Sequence, residues 1–363
     1  MKEIRYKSFS WNTHKKNWKI KKPNVCQFEL TFCCGLHCKH CYTDCYNKPS
    51  YLKKELNTKE TKIILDKVYQ AGAIWLCFTG GDPLARRDFL DIYSYARNKG
   101  FIITVFTSGY SMTERIARYL KKEPPFVIEM TINAATKETY EKISQVKGSF
   151  KKVKEGISLI LKGKLPLRIK TQITKDNLRE IPEIKKFIEG LGLRFRPYYD
   201  LYARLNHNLA PCKLRISPQE VLSLDGKPEV ECRDEYGNYQ KLKAKRKKEK
   251  VSVRKPAGAN LFYCVGGGGE GIYVDPYGNT FACNLIRKPA FNLLKVSVDY
   301  ARDRLLSLVR NRKFVSDSKC NGCNLRENCR WCPGKAYVET GDEEAPVPYY
   351  CELAEVTYRS GKS

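Results

Sequence analysis

Cys34, Cys38 and Cys41 form a Cys-x3-Cys-x2-Cys loop just past a predicted first strand. Thiolates at that spacing can hold an iron-sulfur cubane through three of its four irons, which leaves one iron open to a small molecule. Four thiols would close the cluster and suit electron transfer or structure, so three point to catalysis. A tetrahedral zinc site completed by His37 or His40 is the competing reading. A second segment, Thr79-Gly80-Gly81-Asp82-Pro83-Leu84, ends the predicted second strand. Paired glycines there would let backbone carbonyls approach a ligand closely, although the segment alone could be a turn. A third group lies near the C-terminus: Cys264, Cys283, Cys320, Cys323, Cys329, Cys332 and Cys351. A zinc ribbon of Cys320, Cys323, Cys329 and Cys332 is open at this point. Cys26, Cys33, Cys45, Cys77, Cys212 and Cys232 are scattered and read as core or incidental thiols.

The elements that must position these residues alternate as βα units from Cys26 to about Tyr199, the pattern of a parallel sheet. Six strands are expected: Cys26–Phe32, Ile74–Thr79, Phe101–Phe106, Phe126–Ile132, Leu167–Ile173 and Leu193–Tyr199. Asn57 with Glu60 reads as a capping pair, Asp88 as a helix start and Gly100 as a stop. Six units fit an α/β fold with a partial (β/α)6 TIM-like barrel rather than a full eight-fold one. Ile128, Met130 and Ile132 should face the helices, which turns Glu129, Thr131, Lys170 and Gln172 inward. A charged group survives there only if paired or working, so Glu129 and Lys170 are expected to pair. Residues 217–259 lose periodicity and read as a basic linker or insertion between a barrel at 26–216 and a small cysteine-rich domain at 260–363. Residues 1–25 form a basic N-terminal segment. Asp275-Pro276-Tyr277-Gly278-Asn279 reads as a hairpin turn.

The chain has 363 residues, a mass of 41.9 kDa and 42% hydrophobic residues, ample for a large and a smaller domain. It contains no run of about 18 apolar residues and no signal-peptide pattern, so a cytoplasmic protein and no membrane partner are expected. In that reducing compartment, sixteen cysteines read as metal ligands rather than disulfides. The net charge of +28 is partly local, with nine Lys or Arg between Lys241 and Lys255 against Glu249 alone. Eight more precede Pro23 against Glu3. These runs read as solvated loops. They could also bind nucleic-acid phosphates, with Trp11 and Trp18 stacking, or steer an acidic electron donor such as ferredoxin or flavodoxin.

Taken together, the cysteine loop and the glycine segment one βα unit later resemble the radical S-adenosylmethionine (SAM) enzymes. The resemblance implies that Cys34, Cys38 and Cys41 hold a 4Fe-4S cluster whose open iron chelates SAM. It further implies cofactor contacts at His40, Gly80, Gly81, Asp82, Pro83, Ser108 of Thr107-Ser108-Gly109, and Thr131. Asp82 stands where the family's commoner residue is Glu, and His40 where an aromatic is usual. The C-terminal set is similar to the SPASM domain, which adds auxiliary iron-sulfur clusters. That likeness implies two auxiliary 4Fe-4S clusters: one on Cys320, Cys323, Cys329 and Cys351, the other on Cys264, Cys283 and Cys332. Only Arg330 and Trp331 separate Cys329 from Cys332, one fewer than the family pattern. The fourth ligand of the three-thiol set stays open, with Cys212 or Cys232 as candidates.

The implied activity is reductive cleavage of SAM to a 5′-deoxyadenosyl radical that oxidatively modifies a substrate. SPASM relatives most often act on peptides, so a peptide or small-protein maturase is the first expectation. A small cofactor precursor such as a porphyrin is the alternative, and a zinc-containing nucleic-acid binder the alternative of another class. Sulfatase maturation is disfavoured, because the position after Cys283 is Asn284, and an amide cannot accept the proton that step requires. Fewer than thirty residues precede the first strand, so a leader peptide would need a separate leader-binding protein or the chain's own surface.

Overall fold

The computed structural model describes residues 6–20, 22–224, 231–233, 239–241, 260–262 and 271–361. Cys264, Gly266–Gly269 and the basic run beyond Lys241 lie outside the described residues. In chain order come α1 (Tyr6–Ile20), β1 (Val25–Thr31), α2 (Pro49–Leu52), α3 (Thr58–Gln70) and β2 (Trp75–Gly80). They are followed by α4 (Phe89–Asn98), β3 (Ile102–Thr107), α5 (Glu114–Lys122), β4 (Val127–Thr131), α6 (Lys137–Ser144) and α7 (Ser149–Lys162). Next are β5 (Leu167–Gln172), α8 (Ile181–Gly190), β6 (Pro197–Tyr198) and α9 (Pro218–Leu224). Strands β1 to β6 pair in sequence order, every pair parallel. This is the α/β partial barrel that the alternation of the sequence predicts.

Local chemistry accounts for most of these boundaries. Asn57 accepts from the Glu60 amide while the Glu60 carboxylate accepts from the Asn57 amide, a reciprocal cap that starts α3. Asp88 precedes α4 as expected but does not cap it. Its carboxylate is taken by Arg86 at 2.7 and 2.8 Å and by the Thr58 hydroxyl at 2.6 Å. The sixth strand is much shorter than the expected Leu193–Tyr199. Only Pro197 and Tyr198 join the sheet, because this edge carries a proline that cannot donate to a ladder. Inside the sheet, Ile128 and Met130 are fully buried against the helices while Glu129 and Thr131 face the other way.

The C-terminal part begins with a small antiparallel pair, β7 (Glu231–Arg233) and β8 (Tyr239–Lys241). It continues through β9 (Gly271–Val274), β10 (Asn279–Phe281), β11 (Phe291–Asn292), α10 (Val298–Arg310), α11 (Pro333–Thr340) and α12 (Pro348–Arg359). The β9 strand pairs in parallel with β1, so the sheet runs β11-β10-β9-β1-β2-β3-β4-β5-β6 without a break. The expected turn joins β9 to β10. The Asp275 carboxylate accepts the Tyr277 and Asn279 amides, both at 2.9 Å, and Gly278 sits at φ +80°. Helix α1 closes the opposite end of the barrel, with Tyr6 on Phe126 and His14 stacked on Trp75, both at 4.7 Å between ring centres. Trp11 of the same helix stays 69% exposed. Among the described residues, no helix is long and apolar enough to cross a membrane.

Candidate active site

A cavity of about 420 Å³ opens at the carboxyl ends of the strands. It is lined by Cys34, Cys38, His40 and Cys41 from the loop after β1, by Gly80 and Gly81 from the end of β2, by Ser108 after β3, and by Thr131 of β4. The structure therefore gathers eight of the sequence-derived site residues around one space. Glu129 and Lys170 line it too, and they form the expected pair, with the Lys170 ammonium 2.8 Å from the Glu129 carboxylate and 4.1 Å from the centre of the Phe106 ring.

The cysteine loop is held from both sides. The amides of His37 and Lys39 donate to the carbonyls of Ser144 and Ile143 at the end of α6, at 2.9 and 3.0 Å. On the other flank, Asp44 accepts from His37 at 3.0 Å and from Arg204 at 2.8 Å, and the Leu205 amide donates to the Tyr42 carbonyl. Burial pushes the thiols of Cys34, Cys38 and Cys41 up. Thiolates there need a cation to stabilise them, which is the state in which cysteine binds metal. Burial lowers the His40 imidazole to about 4; its Nε2 lies 3.5 Å from the Asn133 amide and its Nδ1 has no partner.

Gly80 and Gly81 serve a packing role that the sequence reading did not foresee. A Cβ on Gly80 would sit 2.1 Å from the Thr31 carbonyl oxygen, and one on Gly81 would sit 2.5 Å from the carbonyls of Phe32 and Cys33. The glycines let the end of β2 press on the root of the cysteine loop, where Gly81 donates to Thr31 at 2.7 Å and Asp82 to Cys33 at 2.9 Å. Asp82 and Pro83, the other two expected cofactor contacts of this segment, stand just behind the cavity lining. The Asp82 carboxylate is wholly buried and accepts from the Leu84 amide, the Thr107 hydroxyl, and both the amide and hydroxyl of Ser108. It fastens the end of β2 to the end of β3. Burial pushes its carboxyl above the ordinary range, although Ser108 and Thr107 donate to it.

A second cavity, of about 400 Å³, is lined by Cys320, Cys323, Cys329 and Cys351. Those four are the set that the SPASM likeness implies, and Cys332, required by the zinc-ribbon alternative, is absent from the lining. The remaining walls are mostly apolar, from Leu325, Trp331, Pro346, Pro348 and Ala354. Cys283 lies elsewhere, in an apolar cluster with Leu285, Tyr42, Tyr202 and Cys212. Burial raises the Tyr202 phenol, and the charges of Asp200, Cys283, Cys332 and Cys41 add to that. The Cys212 thiol is engaged with Glu339, and the side chain of Cys232 lies outside the described residues.

Among the described residues, no group of three or more His, Cys, Asp or Glu side chains converges tightly enough for a single metal ion. The three thiols of the Cys34–Cys41 loop are donors of the kind that an iron-sulfur cluster takes. Sequence reasoning missed Gln27, Tyr42, Asp200 and Tyr202, which all line the first cavity, whereas Asn133, also in the lining, continues the polar face of Glu129 and Thr131. It also missed the buried carboxylate of Glu29. The alternation Gln27, Glu29, Thr31 along β1 carried the same inward-facing signal that identified Glu129, whereas nothing local marks the loop residues.

Residues 28–188 match the model of the radical SAM superfamily. An AdoMet-dependent heme synthase of Methanosarcina barkeri is 26% identical over 94% of this chain and 98% of its own length. The Fe-coproporphyrin III synthase of the same organism is 24% identical over 86% of this chain and 82% of its own. Among solved structures, SuiB of Streptococcus suis bound to S-adenosylmethionine superimposes with a TM-score of 0.63 at 14% identity, over 96% of this chain and 84% of SuiB. Native anSMEcpe with bound AdoMet gives 0.60 at 16% identity, over 93% and 98%. With the parallel partial barrel, the cysteine loop and the cysteine-rich C-terminal region in place, residues 28–188 of this enzyme are a radical SAM domain.

Proposed function

We propose that this enzyme uses SAM to oxidise a side chain of a porphyrin-class small molecule. The observation that carries the reading is the match to the Methanosarcina barkeri heme synthase, which spans 94% of this chain and includes its C-terminal part. This reverses the order of the expectations from sequence, in which a peptide came first. The structural likeness to SuiB and anSMEcpe is a likeness of fold at 14% and 16% identity and does not bear on substrate. The radical SAM domain sets aside the zinc-containing nucleic-acid binder.

In this reading Cys34, Cys38 and Cys41 hold the 4Fe-4S cluster, and the Gly80–Gly81 backbone, Ser108, Thr131 and the His40 backbone receive SAM. Bound together, cluster and SAM supply one-electron cleavage of a sulfonium and hence a 5′-deoxyadenosyl radical that removes hydrogen from substrate. The chain's own task is orientation and exclusion of water around a ligand seated in the cavity at the strand ends. Cys320, Cys323, Cys329 and Cys351 hold one auxiliary cluster, and Cys264, Cys283 and Cys332 a second. Clusters held there would supply an acceptor for the electron released as the substrate is oxidised. An acidic ferredoxin or flavodoxin supplies the reducing electron, drawn by the chain's net charge of +28.

A peptide substrate is the second reading, favoured by a 26% match to the PqqA peptide cyclase of Granulibacter bethesdensis over 48% of this chain. The deciding experiment is anaerobic reconstitution with iron and sulfide, followed by SAM, a low-potential reductant and iron coproporphyrin III. Porphyrin-stimulated deoxyadenosine with a mass change on the porphyrin is the expected result. Stimulation by a peptide encoded beside the gene, with none by porphyrin, would establish the second reading instead.

A further inference from the structure

One buried carboxylate touches both cysteine-bearing loops. Glu29 of β1 is only 1% exposed, and its neighbours come from opposite ends of the sequence. The Tyr42 hydroxyl, on the residue after Cys41, donates to its Oε1 at 3.4 Å. Arg287 donates to both of its oxygens, Nη1 to Oε2 at 2.7 Å and Nη2 to Oε1 at 2.8 Å, the two-pronged geometry that fixes direction as well as distance. The third donor of the same guanidinium, Nε, goes to the Asn284 carbonyl at 3.1 Å, on the residue after Cys283. Its flat face lies 4.7 Å from the centre of Phe281 and 5.7 Å from that of Phe32. Arg287 is therefore held against rotation and withdrawal alike. Tyr42 and Asn284 both line the first cavity, so the arginine joins its two walls from behind.

A buried ion pair is weak evidence of net stabilisation, because desolvating both charges offsets much of their attraction. Its best-attested use is to set register. We propose that the Glu29–Arg287 pair is a positioning element that fixes the spacing between the Cys34–Cys41 loop and the Cys283 loop, and so couples SAM cleavage to oxidation of the substrate. Loosening the pair lets the Cys283 loop drift from the cavity, and deoxyadenosine then forms without matching product. The inference rests on the cluster assignments proposed above but not on the identity of the substrate.

The test compares wild type with Arg287→Lys, which keeps the charge and loses the fork, and with Glu29→Gln/Arg287→Met. The double variant removes both charges together and so leaves neither buried alone. Each protein is reconstituted anaerobically and its iron counted. The magnetic interaction between the reduced clusters is then read by EPR, with no substrate present. Full iron content with a weakened or heterogeneous interaction in both variants is expected. With substrate, the ratio of deoxyadenosine to product should rise roughly threefold to thirtyfold, the range for residues that carry coupling between sites. An unchanged interaction and ratio in the iron-replete double variant would overturn the proposal. So would loss of iron from both variants, since the pair would then support assembly rather than spacing. Failure of the cluster assignments would appear separately, as wild-type protein that binds too little iron.

Discussion

The two cysteine-lined cavities are nearly equal in volume, about 420 and 400 Å³, yet differently built. The first has three thiols, a rim of glycines and hydroxyl groups from strand ends, and an inward ion pair at Glu129 and Lys170. The second has four thiols set among leucine, proline, alanine and tryptophan, with Cys323 exposed. A site one thiol short and rich in hydrogen-bonding groups is equipped to receive a ligand. A site with a full thiol set and a dry wall is equipped to hold a cluster and little else.

The sharpest break of this contrast is Cys38→Ala. Deoxyadenosine formation should fall to background, more than about 100-fold, since removing a ligand costs more than removing its supporting partner. High-performance liquid chromatography of SAM turnover measures it. Cys323→Ala should act in the other direction, with product lost far more than deoxyadenosine. Equal loss of both would end the division of roles between the cavities. Iron counting sharpens the comparison further: about twelve irons per chain follow if all three thiol sets carry cubanes, and about eight if the set with Cys283 stays empty.

Smaller effects test the scaffold under the first cavity. Asp82→Asn turns two of the four donors on the carboxylate toward another donor, and should cost roughly 2–3 kcal/mol in denaturant unfolding. It should also weaken SAM binding by loosening Ser108. The smallest effect concerns Asp88. Burial alone would raise its carboxyl, but Arg86 and Thr58 outweigh burial and hold it below the usual range. A depressed folded value stabilises above the unfolded pKa and is lost as pH falls through the folded one. Acid unfolding should therefore show a small loss of stability, beginning below pH about 4, that Asp88→Asn abolishes.

Much of this was legible in sequence because the signals are local. The Cys34–Cys41 spacing, the Asn57–Glu60 cap and the alternation that turned Glu129 and Lys170 inward each depend on residues a few positions apart. β6 is shorter than the expected Leu193–Tyr199, and Pro197 on this edge has no amide to donate to a ladder. The clamp that Asp82 makes on Thr107 and Ser108 was not legible, because those partners arrive from the next strand. Arg287 lies 258 residues from Glu29, and a pairing of that range leaves no periodic trace.

The pairing of β9 with β1 bears on how the chain is made. When β1 leaves the ribosome, β2 can cover one of its margins within two helices, but the other must wait until residues 271–274 emerge. For most of its synthesis the nascent barrel carries an unsatisfied ladder beside the Cys34–Cys41 loop. A chaperone guarding that margin until β9 arrives would also be guarding the thiols of the neighbouring loop.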